Sequence, residues 1–577
     1  MVAGATPPTS FTKSLFHGNI VEELVFPFPV PRPADREAVR LVVDALHKLA
    51  AEKIDPVRID EEARIPGGVL DELKRMGLFG MIIPEGYGGS GLSTTAYIRV
   101  MQEMAAIESS IAVTVGAHQS IGLKGILLAG NEEQKRRYLP RLASGEMIAA
   151  FCLTEPSAGS DAQAIKLRAR PAGDGAWLLS GQKIWITNGG LADFFTVFAQ
   201  TEVEDGGVKR DRVTAFLVER AHGVKSGPEE HKLGIRGSST TSLFFEDVRV
   251  PAENVLGEVG KGFKVAMLIL NSGRLGLAAG AIGAARKVID LAVRHARERR
   301  AFGRMVSDFG LIQHKIARMI TETYALESMV YLTAGMLDAG TKDTAVESAI
   351  CKVFGSEALW RIVNDALQIA AGAGYMKEFP YERILRDSRI NMIFEGTNEI
   401  LRLFIALSGM EGPGAQLAEV ADAIRTPLRG YGTLADYVVG KIKQSVYGDS
   451  ITQAHPLLKR EAVLVEDFVN EGAKAVEKVL RRHGKAIAER QFACARIADL
   501  VIDLYSMTAV IARTSASIEQ KGEEGAKRDL LCARVYCDWA WARMKAAMRA
   551  MDTNSDELEK EISKLTVDEG GYGPGLW

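Results

Sequence analysis

The hydrophobic residues of this chain change period along its length, and those changes limit the folds open to it. From about Ala34 to Ser144 they recur at helical spacing, as in "REAVRLVVDALHKLAAEK" and "TAYIRVMQEMAAIESSIAVTVGAHQSIGLKGILLAG". From about residue 151 to 255 the pattern is that of strands. "DGAWLLSGQKIWITNGGLADFFTVFAQT", "RVTAFLVER" and "TSLFFEDVRV" mix β-branched and aromatic residues with Gly and Asn-Gly turns. Helical spacing returns at Gly262 and runs to about Gly409. A looser stretch follows around Gly412-Pro413-Gly414 and Pro427, and another helical block begins after His455-Pro456. Helices and strands that occupy separate blocks, rather than alternating, predict an α+β chain. Its 577 residues exceed what one core supports. The expected domains are helical over 34–150, strand-rich over 151–260 and helical over 261–410. A linker or amphipathic helix over 411–455 and an extra helical domain over 456–568 complete the expectation. The tail "EGGYGPGLW" is expected to be flexible.

Composition removes several function classes. The formal net charge is -2, with acids and bases mixed along the chain, so no nucleic-acid partner is expected. Cys152, Cys351, Cys494, Cys532 and Cys537 are odd in number and scattered, which argues for a reducing compartment and against a disulfide framework. No HExxH or comparable cluster occurs, so no metal site is expected. The opening "MVAGATPPTSFTKSLF" carries no secretory or organelle signal pattern. The longest apolar run, Leu275 to Ala285, ends at Arg286-Lys287 and reads as a buried helix segment. Within that helix Gly276, Gly280 and Gly283 share one face and allow a close helix–helix approach.

Six motifs offer chemistry, each beside a plainer reading. Gly86-Tyr87-Gly88-Gly89-Ser90-Gly91 matches GxGxxG but lacks a following strand, so it reads as a loop between helices with Ser93 or Thr94 as cap. "FCLTEPSAGSD", Phe151 to Asp161, offers hydroxyls and free N–H groups, or is an ordinary polar turn. "KIWITNGG" puts Trp185 and Thr187 on one strand face, for a ring ligand or for a sheet buried on one side. "RERRAFGR" sets Arg297, Arg299, Arg300 and Arg304 around Phe302-Gly303, as a phosphate clamp or as cations at a helix C-terminus. "QIAAGAGY", Gln368 to Tyr375, is a helix running into glycines, a C-cap or a place of close ligand approach. "IFEGTNEILR" holds Glu395 between Phe394 and Gly396, a carboxylate in apolar company. A helix N-terminal charge accounts for Glu399 there and poorly for Glu395.

Together these motifs, in this order, resemble the flavin-dependent acyl-CoA dehydrogenases over roughly residues 35 to 410. The block after about 430 resembles the very-long-chain branch, as do "GAHQSIGLKGILLAG" and "PAENVLGEVGKGFKVAM". The resemblance implies an N-terminal helical domain, a β-barrel-like middle domain, a C-terminal four-helix bundle and an extra C-terminal helical domain. It implies FAD as cofactor. Phe151, Leu153, Thr154, Ser160, Trp185, Ile186 and Thr187 would face the isoalloxazine ring. Arg299 and Phe302 would reach the FAD of a neighbouring subunit. Gln368, Ile369 and Gly372 match the adenosine side, and Thr397 and Glu399 the stretch after the base. Ser160, Asn271, Arg274, Phe394, Gly396 and Gly116 would contact substrate. The sequence departs from the family at Gly310, where many members have Gln, and at Gly273, where some place their catalytic glutamate.

The implied reaction is α,β-dehydrogenation of a long-chain acyl-CoA to its trans-2-enoyl-CoA within fatty-acid β-oxidation. Glu395 would remove the α-proton, its own N–H and a flavin ribityl hydroxyl holding the thioester carbonyl. Desolvation should raise its pKa from about 4.3 toward the operating pH. Small Ala112, Gly116 and Ala117 predict a deep acyl slot. Electrons would pass to an electron-transferring flavoprotein. An acyl-CoA oxidase, or a non-enzymatic assembly role on the same fold, are the alternatives. A homodimer is expected, cytoplasmic, or in the mitochondrial matrix if the chain is a processed form. Leu434, Val438, Ile442 and Val446 could line a helix at an anionic membrane such as the inner membrane, against the reading of a helix packed on its own domain.

Overall fold

The computed structural model describes residues 10–425, 449–573 and 575. The chain divides into two compact units, Phe28–Ile400 and a second made of Met1–Pro27 with Leu401–Trp577. Leu434, Val438, Ile442 and Val446 lie outside the described residues.

The Phe28–Ile400 unit opens with helices, of which Thr94–Ile107 and Ser109–Gly116 matter most for the site. Gly88 to Gly91 form a loop ahead of the next helix, while Gly86 and Tyr87 belong to a short 3-10 helix, Glu85–Tyr87; Ser93 is the cap: its Oγ accepts from the N–H of Ala96 at 3.1 Å. Ala117–Gly122 then widens into a π-helical turn. It brings His118 inward, with Nε2 donating to the carbonyls of Phe79 at 3.1 Å and Leu142 at 3.2 Å. Nδ1 accepts from the N–H of Ala149 at 2.9 Å. Burial holds this imidazole neutral, lowering its pKa to about 4. One histidine thereby ties the helical layer to the first strand.

The middle of this unit is an eight-stranded sheet. β1 (Ala149–Cys152), β2 (Arg168–Pro171), β3 (Trp177–Thr187), β4 (Phe194–Asp205), β5 (Val208–Glu219), β6 (Lys225–Glu229), β7 (Thr240–Val250) and β8 (Val255–Leu256) make it up. The order is β6-β7-β3-β2-β4-β5-β8, with β1 paired to β4 in parallel. Alternation along β4 serves two cores. Phe194 and Phe198 pack with Tyr138, Leu142 and Ile269 from the helices. Phe195, Val197 and Ala199 pack with Leu179, Phe216 and Phe245 across the sheet. β4 is therefore apolar on both sides, which is why its sequence reads as a nearly continuous hydrophobic run.

Three long helices follow, Gly262–Glu298, Gly310–Asp338 and Ala345–Ala370. A fourth, Asn398–Arg425, starts in this unit. The first buries its apolar run, with Leu275, Ala278, Ala279, Ala281 and Ile282 all at most 2% exposed, so it is a core helix. Its glycine face meets the Thr94–Ile107 helix. A Cβ at Gly276 would stand 3.6 Å from the Tyr97 hydroxyl and one at Gly280 3.5 Å from the Ala105 Cβ. At Gly283 it would stand 1.9 Å from the Gln102 carbonyl oxygen.

The second unit contains Lys459–His483, Gln491–Gly525, Lys527–Asp552 and Asp556–Asp568. Two features differ from the sequence expectation. The stretch around Gly412-Pro413-Gly414 is helical, within Asn398–Arg425. Its glycines are packing sites: a Cβ at Gly409 would stand 2.1 Å from the Phe16 ring, and one at Gly412 2.5 Å from His17 Nε2. The close neighbour is the short helix Phe11–Phe16, whose Phe11, Leu15 and Phe16 are buried. Six residues are too few for a periodic signal, so the sequence did not reveal it.

The glycine face gives a contrast. Gly283→Ala should lower stability by about 2–3 kcal/mol through overpacking against backbone. Gly280→Ala, in ordinary contact, should be neutral or gain up to about 1 kcal/mol of helix propensity. Thermal unfolding of both variants checks this; equal effects would show that the two sites are packed alike.

Candidate active site

Glu395 sits in the turn between the Arg389–Met392 3-10 helix and the Asn398–Arg425 helix. Its φ is +56° and that of Gly396 is +95°. Two successive left-handed residues are rare, and a non-glycine there costs on the order of 1 kcal/mol, which the surroundings must hold in place. The turn aims the carboxylate at the Gly262–Glu298 helix. A Cβ on Gly273 would lie 2.9 and 3.0 Å from the two carboxylate oxygens. The absence of a side chain at 273 is thus what leaves room for Glu395. The two positions address one point in space, as the departure at Gly273 implied.

The carboxylate oxygen Oε2 is shut off from solvent and has no hydrogen-bond partner among the described residues. Burial pushes the carboxyl up to about 7, against the opposing pull of Arg274 and Lys352. The Tyr97 hydroxyl, also buried and without a hydrogen-bond partner among the described residues, is pushed up by burial and then by the Glu395 charge. Arg274 holds the turn from one side, its Nε donating to the Glu395 carbonyl at 3.3 Å and a terminal nitrogen to Asn271 Oδ1 at 2.8 Å. Asn271 therefore acts through Arg274 and is not itself on the cavity wall.

The carboxylate opens onto a cavity of about 480 Å³. Its wall brings together Phe151, Leu153, Thr154, Ser160, Trp185, Ile186 and Thr187 with Gly116, Arg274, Phe394, Glu395 and Gly396. Tyr97, Met101, Ala112 and Ala117 line it as well. These residues come from five separate parts of the sequence. The Phe151–Asp161 loop is fixed from behind. Lys183 Nζ, fully buried, donates to the Leu153 carbonyl at 3.0 Å and to Glu155 Oε1 at 2.7 Å. Glu155 also accepts the N–H of Leu167 at 3.0 Å.

Plain strand alternation does not produce the Trp185 surface. The pairing of β3 with β7 slips between Lys183 and Ile186, a β-bulge, and Trp185 has φ +54°. The bulge turns the indole outward, 63% exposed, while Ile186 stays buried and Thr187 also reaches the cavity. This corrects the expectation of one regular strand face. A planar aromatic surface beside the Thr154 and Thr187 hydroxyls is a chemistry that fits a flavin ring.

The remaining positions lie off this cavity. Arg299 is exposed at the end of the Gly262–Glu298 helix, next to a hairpin in which Phe302 is 94% exposed with φ +52°. Gln368 and Gly372 are exposed and Ile369 is buried, where the Ala345–Ala370 helix ends at Ala371 with φ +52°. The closely packed glycine is Gly374, whose Cβ would stand 2.4 Å from the Leu367 carbonyl; Gly372 faces open space. Thr397 Oγ1 accepts from the N–H of Ile400 at 3.4 Å, and Glu399 is an exposed first-turn charge. Gly310 also meets open space.

Sequence reasoning missed Lys183 and Lys352. Lone lysines in apolar runs, "KIWIT" and "AICKVFG", were the available signal, because a buried ammonium requires a partner.

Comparison with known proteins bears on all of this. The acyl-CoA dehydrogenase N-terminal domain model matches residues 36–146, the middle domain 150–248 and the C-terminal domain 260–410. The ACAD9/ACADV C-terminal domain matches residues 456–572. The mitochondrial very long-chain specific acyl-CoA dehydrogenase of Homo sapiens is 42% identical over 97% of this chain and 88% of its own. A probable acyl-CoA dehydrogenase of Bacillus subtilis (strain 168) is 36% identical over 86% of this chain and 84% of its own. An acyl-CoA dehydrogenase from Bacillus anthracis, solved with FAD, aligns with a TM-score of 0.79 at 33% identity, covering 96% of this chain and 94% of its own. This chain belongs to the acyl-CoA dehydrogenase family, with the family's fold followed by the additional ACADV-type helical domain.

Proposed function

We propose that the chain is an FAD-dependent dehydrogenase that converts long-chain acyl-CoA thioesters to trans-2-enoyl-CoA in fatty-acid β-oxidation and passes electrons to an electron-transferring flavoprotein. The observation that carries the reading is the Glu395 carboxylate, with Oε2 shut off from solvent and its pKa raised to about 7, facing a cavity whose wall includes the Phe151–Thr154 and Trp185–Thr187 segments. Those segments, with Ser160, fit one face of a flavin. Arg299, Phe302, Gln368 and Gly372, exposed and off the cavity, suit contacts to the rest of FAD across a homodimer. All five cysteines are buried and none is in a disulfide, in keeping with the cytoplasm or the mitochondrial matrix.

The chemistry follows from what the side chains can do. FAD, when bound, supplies the acceptor for the β-hydrogen as hydride. Glu395 takes the α-proton; the electron pair of the Cα–H bond becomes the second bond of Cα=Cβ, and the pair of the Cβ–H bond leaves with the hydride. The Glu395 N–H has no backbone acceptor among the described residues and is free to donate to the thioester carbonyl, where enolate charge develops. A carboxylate near the usual pKa is a weak base; desolvation brings Glu395 closer to the proton it must remove. Closing the site with apolar substrate raises it further. Arg274 holds the turn while the carboxylate works.

The acyl slot is bounded by Met101, Ala112, Gly116 and Ala117. A Cβ at Gly116 would reach to 2.9 Å from the Met101 methyl. Small side chains and a flexible thioether leave depth where larger groups would close it.

Glu395→Gln should retain flavin and lose at least about a thousandfold in kcat, the upper range for a general base. In wild type, kcat/KM should fall below about pH 7 as the base protonates. The same raised pKa makes the ionised carboxylate a cost in the folded state. That cost is absent below pH 4.5 and complete above about 7, on the order of 3 kcal/mol. Glu395→Gln should therefore melt above wild type at pH 8, with the difference closing toward pH 5. A variant with wild-type turnover would remove Glu395 as the base.

Palmitoyl-CoA should be preferred to octanoyl-CoA. Gly116→Leu should lower the ratio of their kcat/KM values by about tenfold or more, a few methylenes of lost slot; an octanoyl preference in wild type would refute the long-chain assignment. Purified protein should be yellow, bleach with palmitoyl-CoA under anaerobic conditions, and consume little oxygen without an added acceptor. Rapid oxygen consumption would instead identify an oxidase.

A further inference from the structure

Lys352 lies in the middle of the Ala345–Ala370 helix and is completely buried. It is absent from the cavity wall, so it does not meet substrate there. Its Nζ donates to the Gly396 carbonyl at 2.7 Å and to Asn398 Oδ1 at 2.8 Å. Gly396 is the second of the two left-handed residues, and Asn398 is the first residue of the next helix. Asn398 Nδ2 donates back to the Ala345–Ala370 helix, to Ser356 Oγ and Glu357 Oε1, each at 3.0 Å. The lysine and asparagine thus fasten the turn that presents Glu395 to a buried core helix, in addition to the Arg274 contact to the Glu395 carbonyl.

A buried ammonium is costly unless it is matched, and leucine or methionine would fill this helix position without that cost. What an ammonium adds is a directed bond to a backbone carbonyl and a positive charge near Glu395. We propose that Lys352 is a positioning residue of this active site: it holds the Glu395–Gly396 turn in its strained conformation and moderates the basicity of Glu395. The proposal rests on the dehydrogenase reading above.

The electrostatic surroundings agree. Glu395 feels Arg274 from the Gly262–Glu298 helix and Lys352 from the Ala345–Ala370 helix, both favouring its ionised form, with the Tyr97 hydroxyl nearby on the Thr94–Ile107 helix. Lys352 is lowered by burial to about 8; Glu395, Glu357 and Glu399 support its charge and Arg274 opposes it. Without the lysine, burial would raise Glu395 further, and the turn would lose its hold on a left-handed backbone.

The test is Lys352→Met in the flavin-loaded full chain, assayed with palmitoyl-CoA and a dye acceptor across pH 5.5–9. Flavin content and circular dichroism establish folding. We expect kcat to fall roughly ten- to a hundredfold from misplacement of the base, with KM changed by less than about threefold. The acid limb of kcat should move upward by up to about one pH unit, reflecting loss of the cation. A folded, flavin-bound variant with unchanged kcat and acid limb overturns the proposal, as does a rise in KM alone. Should Lys352→Met fail to fold, Asn398→Asp leaves the lysine in place and sets a carboxylate against its charge. The acid limb should again rise, and an unmoved limb overturns the proposal. Wild-type protein inert toward every acyl-CoA would overturn the dehydrogenase reading itself, and this inference with it. An active wild type beside unaltered variants overturns this inference alone.

Discussion

At Glu395 a carboxylate is kept where charge is disfavoured. Glu395 has one oxygen sealed from solvent and without a hydrogen-bond partner among the described residues. Its backbone is left-handed, and its carboxylate fills the space a side chain at Gly273 would take. None of these conditions is favourable by itself. Each is sustained by elements that are rigid for other reasons: the Gly262–Glu298 helix with its buried apolar run, the Ala345–Ala370 helix with Lys352, and the Arg274–Asn271 pair. The energy stored at the turn comes from packing elsewhere in the unit.

The same arrangement recurs across the cavity. The Phe151–Asp161 loop is polar and short of regular structure, yet it is anchored by the buried Lys183–Glu155 pair. Removing one partner of such a pair leaves an uncompensated charge, so the pair fixes geometry more than it adds stability. Trp185 is turned outward by a bulge where Ile186 continues into the sheet core. Both sides of the cavity thus rest on a buried lysine, Lys183 behind the Phe151–Asp161 loop and Lys352 behind the Glu395–Gly396 turn.

The glycines show how local sequence and tertiary contact divide the work. Gly276, Gly280 and Gly283 were legible as a face because the helical period places them there, but only the structure ranks them, with Gly283 against the Gln102 backbone. Gly412-Pro413-Gly414 read as a break because Gly and Pro usually end helices. The helix persists because residues 11–17 pack into the room that Gly409 and Gly412 leave. That partner comes from a segment some 400 residues earlier in the sequence, beyond the reach of any local window.

The sequence alone determined the order of helical and strand blocks, because periods of 3.6 and 2 are written into it. It also determined the motifs that identify the family and single out Glu395, since a carboxylate between Phe394 and Gly396 has few ordinary explanations. Tertiary structure decided the rest. It sorted the expected residues into those that share a cavity, such as Thr154, Thr187 and Glu395, and those that do not, such as Arg299 and Gln368. It placed Gly273 at the carboxylate and Lys352 behind it, across 122 and 43 positions of sequence. Desolvation, close approach and backbone strain belong to neighbours in space, and those neighbours exist only once the chain has folded.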